Sequence, residues 1–95
     1  METYRFNWFY VMAKKFYPKI STYIDASPPH PENTQYKISI GEEDWSGSYQ
    51  KVVKVQMVYD NVISGRRSPS YPINSNDTEL VFNKINELIK NEKGM

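Results

Sequence analysis

Apolar and polar residues alternate through most of the chain and then shift to helical spacing near its end. In Thr3 to Met12, Tyr4, Phe6, Trp8, Tyr10 and Met12 fall on one side and Arg5, Asn7, Phe9 and Val11 on the other, which predicts a strand near 3–12. Tyr4, Trp8, Val11, Met12 and Lys15 also share a helical stripe, so the period alone leaves a helix open there. Ile20, Thr22 and Ile24 alternate with Ser21, Tyr23 and Asp25, predicting a strand near 19–25. Tyr36, Ile38 and Ile40 predict another near 36–41, and Val53, Val55, Met57 and Tyr59 give the clearest one, near 51–63. Ser68 to Ile73 predicts a short return strand, confined to an edge because Pro69 and Pro72 have no N–H to donate. Between these runs lie a proline loop around Pro28, Pro29 and Pro31, a polar turn region from Glu42 to Gln50, and the turn Ser64-Gly65-Arg66-Arg67.

The final segment is a helix near 76–92. Val81, Phe82, Ile85, Leu88 and Ile89 form an apolar stripe, Ser75 or Asn76 can cap its start, and Glu79 stands three residues after Asn76. Lys90 and Lys93 suit the negative end of the helix dipole. Residues 1–95 therefore read as one α+β domain, an antiparallel sheet of four to five strands with one C-terminal helix on one face.

Composition sharpens this picture in three ways. Aromatics reach 15%, with eight Tyr, four Phe and two Trp, more than a small core needs, so some are candidate contact residues. The absence of cysteine excludes disulfides and thiolate metal sites. Net charge is only +1, with Arg5, Lys14, Lys15 and Lys19 early, acidic residues at 25–44, and Lys51, Lys54, Arg66 and Arg67 later. That balance argues against a protein that simply coats nucleic acid. No stretch has the roughly 18 apolar residues of a spanning helix, and no secretory leader is recognisable, which predicts no membrane association and a cytoplasmic protein.

Catalytic chemistry has little to work with. His30 is the one histidine, so neither a His-rich metal site nor the usual Ser-His pairing is at hand, and the four glycines form no phosphate-cradling loop. The expectation is a protein that is not an enzyme and carries no metal or cofactor. Trp45, in a polar stretch with Glu42, Glu43 and Asp44, has the pattern of an interface anchor inside a charged rim, which Arg66 and Arg67 extend. These six residues are the predicted protein-binding site. The alternative is single-stranded nucleic-acid or nucleotide binding through Arg5, Trp8, Tyr10, Lys14, Lys15, Tyr17 and Lys19, whose rings and cations could stack bases and meet phosphates. Homodimerisation through an uncapped sheet edge is a further expectation.

Short, and rich in Lys, Asn, Ile and Tyr, the chain resembles in composition the small accessory proteins of phages and mobile elements of low-GC Gram-positive bacteria. That resemblance implies stoichiometric binding, such as inhibition of a host protein, rather than catalysis.

Overall fold

The computed structural model describes residues 15–93. It contains β1 (Phe16–Asp25), β2 (Thr34–Trp45), β3 (Ser48–Tyr59), β4 (Val62–Ser64) and a helix, α1 (Asp77–Lys93). The strands form an antiparallel sheet in the order β1-β2-β3-β4, and α1 lies on one face, the α+β arrangement that the pattern predicts. The expected strand at 3–12 lies outside the described residues.

The core follows from the alternation. Tyr36 and Ile38 of β2 and Met57 of β3 are fully buried against Val81 of α1, with Ile24, Val53, Val55, Ile85 and Leu88 packed around them. β2, the strand nearest α1, is buried on both faces, because its second face carries Lys37, Ser39 and Glu43 out of solvent as well. There the Ser39 hydroxyl is bonded to that of Ser21 (2.8 Å).

Two hairpins turn on residue pairs with positive φ, the type I′ geometry that matches the twist of the flanking strands. Ser46 and Gly47 (φ 58° and 90°) join β2 to β3, and the Asp44 carboxylate accepts the Gly47 N–H at 2.7 Å. Asp60 and Asn61 (φ 51° and 68°) join β3 to β4. The β1–β2 ladder shifts register between Pro18 and Ile20, leaving Lys19 as a bulge. Opposite it, a Cβ at Gly41 would collide with the Tyr17 carbonyl and lie 2.7 Å from Pro18 Cα, so the close approach of the strands requires glycine.

Several boundaries differ from the sequence expectation. Glu42 to Gln50 is no polar turn region: β2 and β3 run to a two-residue tip because Glu42↔Lys51, Glu43↔Gln50 and Asp44↔Tyr49 pair across the hairpin. The run 51–63 is two strands, broken where Asp60 and Asn61 adopt the left-handed conformation. Residues 68–73 form no strand. Their prolines cannot join a ladder, and Tyr71 instead packs its ring on Tyr36, 5.1 Å between centroids. Phe82, expected in the buried stripe, is 54% exposed, because its ring points to Tyr71 at the margin of the core.

A candidate binding groove

Two irregular segments, the proline loop after β1 and the strap after β4, meet at the end of the sheet away from the β2–β3 tip. The loop is closed by Ala26 N–H to Thr34 O (2.9 Å) and His30 N–H to Ser27 O (3.1 Å). Its link to α1 is Asp77. The Asp77 carboxylate accepts the Ser27 N–H (2.8 Å), the Ser27 hydroxyl (2.5 Å) and the Tyr36 hydroxyl (2.7 Å), and is almost wholly buried. Burial alone would push this carboxyl up. The hydrogen bonds from Ser27, Tyr36 and Ser75 outweigh it and hold Asp77 below its ordinary range. Desolvation first, and then the bond to Asp77, push the Tyr36 phenol far above its ordinary value.

The strap is tied at the Ser70 carbonyl. It accepts from the Tyr36 hydroxyl (3.0 Å) and from His30 Nε2 (2.7 Å), which must be the protonated ring nitrogen because a carbonyl can only accept. His30 stands edge-on to Tyr36 with 5.8 Å between centroids. Ser75 finishes the strap: its hydroxyl donates to Pro72 O (2.7 Å) and accepts the Asp77 N–H (3.2 Å), capping α1.

Between loop and strap lies an open groove of about 1030 Å³. Pro29, His30 and Pro31 form one wall, Ser68, Ser70, Tyr71 and Pro72 the other, and Tyr59 and Arg67 one end. The Arg67 guanidinium lies over the Tyr59 ring, 5.5 Å from its centroid. Among the lining residues no carboxylate appears, so Arg67 carries the one full charge. Apart from Ser68, Ser70 and Arg67 the lining is rings and prolines, which lose little rotamer freedom on contact.

The predicted protein-binding residues are divided between the two ends of the sheet. β2 alone, twelve residues from Thr34 to Trp45, spans roughly 36 Å at ~3.3 Å per residue, so Trp45 and Arg67 do not share one site. At the hairpin end Trp45 is 46% exposed and donates its indole N–H to Glu43 (2.8 Å). Glu43, only 8% exposed, also holds Lys54 in an ion pair, so it fixes the edge of the ring from a nearly buried position. Glu42 faces Lys19 at 3.6 Å, and Asp44 serves the turn. At the other end Arg67 enters the groove, while Arg66 is exposed beside it.

Of the alternative set, Arg5, Trp8, Tyr10 and Lys14 lie outside the described residues. Lys15, Tyr17 and Lys19 lie at the start of β1, where Tyr17 and Tyr49 are exposed and 6.2 Å apart. The neighbouring cations are engaged: Lys19 with Glu42, Lys51 with Glu92, and Lys54 with Glu43. Among the described residues no group of three metal-ligating side chains occurs, and no helix is long and apolar enough to cross a membrane.

The groove residues that sequence reasoning left out of its site are Tyr59, Tyr71 and Pro72, together with His30 and its flanking prolines. The available signal was local: three prolines in four residues beside His30, and Tyr71 set between Pro69 and Pro72. No family model, no curated protein and no solved structure matches this chain.

Proposed function

We propose that this is a small non-catalytic binding protein whose contact surface is the groove between the proline loop and the strap, and that it takes an extended, carboxylate-bearing segment of a partner protein. The observation that carries this reading is the groove's lining, mostly flat rings and prolines with Ser68 and Ser70 between them, tied to one frame by Tyr36, His30 and Asp77, with Arg67 as the one full charge in it. A preformed, partly apolar concavity with a few polar groups is the general form of a binding site, and a guanidinium held over a ring can meet a carboxylate with two parallel hydrogen bonds. Stoichiometric occupation of a host protein, the mode implied by the likeness to phage accessory proteins, needs no more chemistry than this. Nucleic-acid binding has the exposed Tyr17–Tyr49 pair in its favour, but phosphates would have to displace carboxylates from Lys19 and Lys51.

The test compares capture from nuclease-treated bacterial lysate by the wild type, Arg67→Glu and Trp45→Ala. A protein retained near-stoichiometrically by the wild type and Trp45→Ala, but lost with Arg67→Glu, supports the groove. Loss with Trp45→Ala alone moves the site to the hairpin end. Retention of oligonucleotides that weakens steeply with salt supports the nucleic-acid reading instead.

A further inference from the structure

The sheet has two faces, and the described elements account for the burial of only one. α1, the proline loop and the strap all pack on the face of Tyr36, Ile38 and Met57, through Val81, the Asp77–Ser27 bonds and the Tyr71 ring. The alternation of β2 sends Lys37, Ser39 and Glu43 to the opposite face. That face is shut off almost as completely: Ser39 is 0% exposed, and Lys37 and Glu43 are each 8% exposed.

Neighbouring strands do not produce this. A side chain on an open sheet face stands roughly perpendicular to the sheet, and lysine is almost never wholly out of solvent. Lys37 has Tyr23 and Gln56 as its cross-strand neighbours, and Ser39 has Ser21 and Lys54. Ser21 and Tyr23 are exposed and Lys54 and Gln56 only half-buried, so none of the four roofs the strip. A cover therefore lies over β2 and β3 and stops short of β1. The burial is that of a single chain, so a second copy is not its source.

Two stretches of the chain remain, residues 1–14 and 94–95. The second follows α1, on the other face. The first joins at a corner of the strip. There the Lys15 carbonyl accepts the Asp44 N–H (3.0 Å), and Phe16, opposite Glu43 on this face, has the Lys54 ammonium 5.1 Å from its ring centroid. From Glu43 to Lys37 the strip is roughly 20 Å long, at ~3.3 Å per residue. Fourteen residues reach about 21 Å even at the ~1.5 Å rise of a helix, and farther when extended. Tyr4, Trp8 and Met12 share a side under both periods that the sequence allows here, and rings with polar tips suit lysine stems beside Ser39 and Gln56. We infer that residues 1–14 of the chain itself cover the sheet face opposite α1, over Lys37, Ser39 and Glu43, with Tyr4, Trp8 and Met12 supplying the contact. Trp8 is then enclosed and cannot stack a base. Nothing in this arrangement depends on the groove.

The chain has no cysteine, so single cysteines report access to each face. In the full chain, Ser39→Cys should react with a thiol reagent at least roughly a hundredfold more slowly than the same variant in denaturant. Adding Tyr4→Ser, Trp8→Ser and Met12→Ser should raise that rate about tenfold or more, while Ile38→Cys, on the α1 face, stays protected in the same background. Ready reaction of Ser39→Cys with the segment unaltered overturns the proposal, as does protection that the three serines do not relieve. If the serines expose both cysteines alike, the whole fold has opened, and tryptophan emission decides. Trp45→Phe leaves Trp8 as the one tryptophan in the chain. Blue-shifted emission shielded from acrylamide supports the cover, and emission quenched as readily as in denaturant overturns it.

Discussion

Asp77 is the residue on which three distant segments converge. Its carboxylate takes hydrogen bonds from Ser27 of the proline loop and from Tyr36 of the central strand, and its own N–H is held by Ser75. Because the folded protein binds the ionised form, Asp77 contributes stability that is fully present above its unfolded value of about 3.9. That contribution is lost as pH falls further, through the depressed folded value. Asp77→Asn keeps the shape and removes the charge. It should cost about 2–3 kcal/mol at neutral pH, and the gap from the wild type should narrow below about pH 4, as read by urea denaturation across a pH series. Little of this was legible beforehand. Asp77 reads as an ordinary acidic residue in the first turn of a helix, and only the fold brings Ser27 and Tyr36 to it. Glu43 is a related case: in a string of acidic residues it looks like rim, yet its position on the second face of β2 leaves it nearly buried, bonded to Trp45 and paired with Lys54.

At the scale of elements, strands and helix were legible wherever one face meets the core. Tyr36, Ile38, Val53, Val55 and Met57 keep period two, and Val81, Ile85 and Leu88 keep helical spacing, because each set packs on the other. Turns were less legible. Asp60-Asn61 sits inside a run of valines and isoleucines that reads as uninterrupted strand, and polar pairs extend β2 and β3 to a tip that hydropathy alone marks as loop. The helix stripe overcounted by one residue. Val81→Ala should lower stability by about 2 kcal/mol through the cavity it leaves in the core. Phe82→Ala, although it removes the larger side chain, should cost less than about 1 kcal/mol, because that ring is half in water. Thermal melts of the two variants side by side decide the ranking.

At the scale of the whole molecule, the sheet separates surfaces that the linear sequence had suggested combining. The hairpin end carries Trp45, Tyr17 and Tyr49 among charges already engaged with one another, and the opposite end carries Arg67 in a groove with no carboxylate among its lining residues. Loops assembled the groove from residues 29–31, 59 and 67–72, which share no period, so only the folded chain could reveal it. The joining of Ser27 to Asp77 also has a bearing on time. The two residues stand 50 positions apart, whereas the hairpins turn on adjacent pairs, so the hairpins can close early and this tie must come late. A contact absent from the folding transition state affects escape from the native state rather than arrival at it. In stopped-flow kinetics, Asp77→Asn should therefore quicken unfolding and leave the refolding rate nearly unchanged. The carboxylate that frames the groove then acts as a brake on unravelling, setting how long each molecule keeps the groove once it has formed.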